Sequence, residues 1–175
     1  MYAVAVSSAA MLSGAELVLC ALVPKAGARW QQVHINRTIA EQFLLLKVGE
    51  DRTATFERVD KHGLLGPPVT RRLIYSKRNK NYKVEFDFSP VRFYPAEGPP
   101  ILLILALDVR AFRYRTIFPG QAGYPEMSAL NSQEASIGKG FRRIITTLDE
   151  VEMRWPRACL RNPARANPEL GTDLD

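Results

Sequence analysis

A chain of 175 residues accommodates one domain comfortably, and two only if both are small. With 46% hydrophobic residues it can build a core, and 24 basic against 18 acidic residues give a net charge of +6 and a pI near 9.5, too modest an excess for a disordered basic tail. Its two cysteines, Cys20 and Cys159, lie far apart without CxxC spacing, which excludes a disulfide framework and a zinc site and points to reduced, cytosolic thiols.

The opening stretch to Val23 looks superficially like a signal peptide. It lacks a basic start, however, and Ser7, Ser8, Ser13, Gly14 and Glu16 interrupt its apolar run. The longest apolar runs, Leu17 to Val23 and Ile101 to Leu107, are strand length, so no membrane span or membrane partner is expected. Pro24 and Gly27 break the first run. Gln31 to Asn36 then alternates, with Val33 and Ile35 opposite Gln32, His34 and Asn36, the pattern of a half-buried strand. Thr38 reads as the N-cap of a helix over Ile39 to Leu46, with Glu41 three residues on and Ile39, Phe43 and Leu46 at helical spacing.

Strands are predicted next at Thr53 to Val59, Val69 to Ser76 and Tyr82 to Phe88. In the last, Tyr82, Val84, Phe86 and Phe88 share one face, and Lys83, Glu85 and Asp87 the other. Pro90, Pro95, Gly98, Pro99 and Pro100 mark an exposed loop. Ile101 to Val109 is apolar until Asp108 and reads as a central strand covered on both sides. Ala111 to Phe118 sets Phe112 and Tyr114 against Arg113 and Arg115. Tyr124 to Leu130 predicts a short helix, Asn131 to Gly140 a polar loop, Phe141 to Leu148 a last strand, and Asp149 to Trp155 a helical turn stopped by Pro156. From Arg157 the chain carries arginines and prolines with little to bury. The expected division is a domain over 1–157 and a tail, or the start of a linker, over 158–175. The tally is a mainly β fold, a seven-stranded open or pseudo β-barrel with two or three short helices capping its ends.

The most unusual stretch runs from Arg71 to Lys83, with six basic residues in thirteen and no acid. Its middle, Ser76-Lys77-Arg78-Asn79-Lys80-Asn81, lies between two strands and projects as a loop. Lys and Arg neutralise phosphates, while Arg and Asn make bidentate contacts to guanine and adenine edges. A solvated hairpin tip is the bland alternative. The missing acids and the interleaved asparagines favour a working loop. A second candidate is Lys25 to Gln32, where Lys25, Arg29, Gln31 and Gln32 supply cations and amides among small residues. Trp30 either caps a barrel end or stacks on a base. His34 has no partner spaced for catalysis.

The catalytic motifs are missing: no GxSxG, no GxxxxGK[ST], no GxGxxG, and only His34 and His62 as histidines. Glu50-Asp51 with Glu57, Asp60 and Lys61 forms a loose carboxylate group. It makes a small metal-dependent nuclease the first alternative. A barrel that binds RNA or single strands by stacking on Trp30, Tyr75 and Tyr82 is the second.

Four stretches carry a resemblance. Trp30-Gln31-Gln32-Val33-His34-Ile35 runs into the helix Ile39 to Leu46. Leu73-Ile74-Tyr75 is followed by Arg78-Asn79 and then Lys83. Ile101 to Asp108 forms a central strand, and Leu148 to Pro156 closes in Arg154-Trp155-Pro156. This order resembles the DNA-binding pseudobarrel of plant B-three transcription-factor domains and of effector domains of EcoRII-type restriction endonucleases, over about residues 14 to 157. The first arm is shorter than in that family, Gln31 stands where a histidine is expected, and the basic arm is more compact.

The resemblance implies a clamp of two arms in the major groove of duplex DNA carrying a short specific site. Lys25, Arg29, Gln31 and Gln32 fall in the N-arm, and Ser76, Lys77, Arg78, Asn79, Lys80, Asn81 and Lys83 in the C-arm, with Arg113 and Arg115 on flanking phosphates. It also implies a non-catalytic target-recognition domain of a type II enzyme, covalently linked to a nuclease domain elsewhere. Such a domain needs no cofactor, Mg²⁺ being required only by the cleavage domain. The expected location is the prokaryotic cytoplasm, on the nucleoid.

Overall fold

The structure is a computed structural model, and it describes residues 16–133, 135–138 and 141–165. The signal-peptide question at the amino terminus concerns residues that lie largely outside this range. The first described strand, β1 (Leu17–Leu22), is buried along nearly its whole length, because its alternate side chains enter two different cores. Leu17, Leu19 and Ala21 face the barrel interior, whereas Val18 and Cys20 face an outer layer of helices. A 3₁₀ turn at Gly27–Arg29 leads into β2 (Gln32–Asn36), whose Val33 and Ile35 are buried and whose His34 is exposed, as the alternation predicts.

Helix α1 (Arg37–Gln42) begins two residues before the sequence places it. Asn36, not Thr38, is its N-cap, and its Oδ1 accepts from the Ile39 N–H at 2.9 Å. Ile39, Ala40, Phe43 and Leu44 plug one end of the barrel interior. Then come β3 (Arg52–Val59), the two-residue β4 (Leu64–Leu65), β5 (Val69–Ser76), β6 (Asn81–Glu85), β7 (Ile101–Asp108) and β8 (Ala111–Ile117). After them follow α2 (Tyr124–Gln133), β9 (Arg143–Thr147), α3 (Leu148–Arg154), a 3₁₀ turn at Pro156–Ala158, and the two-residue β10 (Ala164–Arg165).

The sheet path is β2-β6-β5-β3-β8-β7-β1-β9, with β4 and β10 paired off it. Every neighbouring pair on this path is antiparallel except β3 and β8. The sheet curls into an open half-barrel around Phe56, Phe86, Phe112 and Tyr114, whose rings lie 5.0 to 5.5 Å apart in successive contacts. Strand β7 is covered on both faces as its sequence implies: Leu102 and Ile104 point inward, and Ile101, Leu103 and Leu105 pack under α2 and α3. Among the described residues, three α-helices on a mainly β pseudobarrel agree with the expected class, although eight strands rather than seven form the path.

Two further readings change. Asn131 to Gln133 do not open a loop but end α2, where the buried Asn131 donates from Nδ2 to the Cys20 carbonyl at 2.9 Å. The segment after Arg157 is not a tail, at least through Arg165. Ala158 and Leu160 are fully buried in the outer core, and β10 pairs with β4. Arg161 holds Glu16, Asp149 and Glu152 at once. Two buried apolar side chains, the Arg161 hub and the donors of Arg113 and Arg115 to its carbonyls hold a stretch whose composition is that of a linker.

Candidate nucleic-acid interface

The register of β2 on β6 fixes where the two arms stand. Gln32 faces Glu85 at one end of the pair, and Asn36 faces Asn81 at the other. The N-arm, residues 24–31, enters at the first end, and the C-arm, the turn 77–80 between β5 and β6, leaves at the second. Four residue steps separate these ends, about 13 Å at ~3.3 Å per residue.

The C-arm is a tight hairpin. The Lys80 N–H donates to the Ser76 carbonyl at 2.7 Å and the Asn79 N–H to Ser76 Oγ at 3.3 Å, while Lys80 sits in the left-handed region at φ 51°. Ser76 is thus a structural member of the turn. Lys77, Arg78, Asn79 and Lys80 are exposed, and none of the three cations meets a carboxylate among the described residues. The hairpin stands on Tyr75 and Tyr82, with rings 5.2 Å apart, and the buried Tyr82 hydroxyl donates to the Lys47 carbonyl at 3.0 Å. Asp51 accepts from the Tyr75 N–H and pairs with Arg72.

The N-arm is anchored by Trp30. Its ring is buried against Phe88, 4.8 Å away, and Tyr94, 5.7 Å away, so the barrel-capping reading of Trp30 holds and no ring face is offered to a base. Lys25 and Arg29 are exposed and form no ion pair among the described residues, Gly27 takes φ 55° in the turn between them, and Gln31 and Gln32 are half-buried. The Gln31 carbonyl accepts from the Phe86 N–H at 3.2 Å, which ties the arm to the end of β6.

Between the arms lies the outward face of β2, β6 and β5, opposite the buried Val33, Ile35, Tyr82, Val84 and Leu73. Its central cross-strand row is His34, Lys83 and Ile74, and the row beside the C-arm is Asn36, Asn81 and Ser76. Asn81 turns its Nδ2 to His34 Nδ1 at 3.2 Å, so Asn81 is partly committed inside the face. Burial and then the Lys83 ammonium hold the His34 imidazole below its usual range, so it is neutral at pH 7. Glu85, exposed at the N-arm end, is the carboxylate of this face.

Ile74 escaped the sequence reading, because an apolar residue in a strand counts as core; here it is 48% exposed at the β5 end of that row, beside Lys83. Arg113 and Arg115 are placed elsewhere. Arg113 binds Glu57 at 3.0 Å and the Leu160 carbonyl at 2.7 Å. Arg115 is buried and donates to the carbonyls of Arg157, Ala158 and Lys61, with its guanidinium 4.5 Å over the Trp155 ring. Burial lowers its pKa, and its charge is spent inside the fold.

The carboxylates of the nuclease alternative are dispersed. Glu50 holds Arg52, Asp51 holds Arg72 and Tyr75, Glu57 holds Arg113, and Asp60 accepts the N–H groups of His62 and Leu64 in a turn. Among the described residues no group of three or more His, Cys, Asp or Glu is placed to hold a metal ion, and no helix is long and apolar enough to cross a membrane. Both cysteines are free, and burial pushes the Cys20 thiol up to about 12.

No family model matches the chain, and no curated protein matches it significantly. Among solved structures, it is similar to the B3 domain of the UbaLAI restriction endonuclease, a mutant form solved with cognate DNA. The TM-score is 0.46 at 14% identity, and the match covers 84% of this chain and 97% of that one.

Proposed function

We propose that this chain is a sequence-specific reader of double-stranded DNA, gripping the major groove with its two arms. The observation that carries this is the C-arm: an exposed, acid-free hairpin whose three cations meet no carboxylate among the described residues, with an asparagine beside them, held by its own turn and its tyrosine base. The ~13 Å between the arm roots matches a major groove about 12 Å wide. Lys25, Arg29, Lys77, Lys80 and Lys83 neutralise phosphates, while Arg78, Asn79, Gln31 and Gln32 meet base edges. Ile74 offers the apolar contact that a thymine methyl needs. Arg113 and Arg115 have no part in this surface, since both are engaged internally.

The role that goes with it is the target-recognition domain of a type II restriction endonuclease, working on the prokaryotic nucleoid beside a covalently linked cleavage domain. The order of sequence features supports that role. Binding itself needs no metal; Mg²⁺ serves only the cleavage domain. Neither alternative has an observation in its favour, because the carboxylates are dispersed and the rings of Trp30 and Tyr82 are buried.

The test is selection of bound duplexes from a random pool at about 0.15 M salt, near physiological screening, with chelator present. A short enriched motif is expected, and Arg78→Ala should abolish its preference without moving the melting transition. Weak binding with no enriched motif, lost as salt rises, would reduce the hairpin to a general polyanion patch.

A further inference from the structure

The loop between β6 and β7 carries a side chain that the fold does not use. Phe93 is 85% exposed, the most exposed large hydrophobic residue among those described, and Arg92 beside it is exposed and forms no ion pair among the described residues. The loop is held in place on both sides of them. The Val91 N–H donates to the Phe88 carbonyl at 3.1 Å. On the other side the Tyr94 hydroxyl donates to the Val23 carbonyl at 2.8 Å, and its ring meets Trp30 edge-on at 5.7 Å. Val23 and Trp30 are the two roots of the N-arm. Tyr94 therefore fastens the loop to the arm, and Arg92 and Phe93, the two residues before it in the chain, are left in water.

We propose that Arg92 and Phe93 form a third contact to duplex DNA, flanking the N-arm, with Phe93 packing on the bases there and Arg92 on a phosphate. This rests on the two-arm reading and extends its footprint. An apolar ring held at the edge of a cationic surface is what DNA-contacting wedges consist of. A base stacked on an aromatic side chain gains enough for its loss to be read as a clear change in affinity. Folding gains nothing from a ring left this exposed, so its removal leaves stability alone, and its value lies in what it touches.

The experiment uses the full chain and the duplex selected above, with affinity measured by fluorescence anisotropy at several salt concentrations. Phe93→Ala should bind about tenfold more weakly, with an unchanged melting transition and an unchanged dependence of log K on log salt, since no charge is lost. Phe93→Trp should restore affinity. Arg92→Ala should make the salt slope shallower by about 0.9, one phosphate contact on B-DNA. If Phe93→Ala binds within about twofold of wild type while Arg78→Ala loses the site, the third contact is wrong and the two-arm reading stands. If the wild-type chain binds no duplex, both fall.

Discussion

Salt dependence puts a number on the two arms. Each phosphate neutralised by a lysine or arginine releases condensed counterions, so log K falls with log salt by about 0.9 per contact on B-DNA. The structure says which cations are available. Arg37 and Arg72 are paired with Glu41 and Asp51, and Arg113 and Arg115 are spent internally. Lys25, Arg29, Lys77, Arg78, Lys80 and Lys83 have no carboxylate partner among the described residues. With Arg78 on a base edge, the two arms alone make five phosphate contacts and account for a slope of about −4.5, to which the proposed Arg92 contact would add about −0.9. Doubling the salt from about 0.1 to 0.2 M should then cost about 20-fold in affinity through the arms alone. The double variant Lys77→Ala, Lys80→Ala should lower the arms' share of the slope to about −2.7, whereas Arg72→Ala should barely move it. Anisotropy titrations of a labelled duplex give these slopes directly. A double variant with the wild-type slope would refute the placement of the C-arm on the backbone, and a wild-type slope shallower than about −2 would refute the two-arm grip.

Arg115→Met strips the partner from three carbonyls and from the Trp155 ring, and should cost about 2–4 kcal/mol in urea denaturation, because buried acceptors are left without a donor. Amides of residues 158–165 should exchange faster in that variant; a loss under about 1 kcal/mol would show that the carboxyl-terminal segment does not depend on it. Cys20, buried with its thiol near 12 against an ordinary 9.0, should react with thiol reagents at pH 8 only at the rate of unfolding, and Cys159 faster. Below pH 9 the Cys20 thiol is protonated in both states and adds no pH dependence. Between 9 and about 12 the unfolded chain ionises first, so stability should fall with rising pH, and a flat profile over that window would contradict the burial.

Strand positions were legible because a period of two survives wherever one face is wet: Tyr82, Val84, Phe86 and Phe88 fill the interior while Lys83, Glu85 and Asp87 stay outside. The same rule misplaced Arg115. Alternation assigns a residue to the face opposite Phe112 and Tyr114, but it does not say whether that face meets water or a second layer. In this fold the second layer is the 3₁₀ turn and segment that follow Trp155, which bury Arg115 and are themselves nearly free of apolar signal. One omission produced the other: a segment read as a tail leaves its arginine partners looking exposed. The arms were legible for the opposite reason, since loop chemistry resides in composition and needs no partner across the fold. What composition could not show was the ground between the arms. His34 lies far in sequence from the β5–β6 hairpin that carries Ile74 and Lys83, and the three form a row only through the register of β2 on β6 and of β6 on β5. An outward isoleucine reads as core until that register is known, and Phe93 reads as loop filler until Tyr94 is seen to fix it to the N-arm. In both cases pairing across the fold, rather than the residue itself, turns an apolar side chain into a candidate contact.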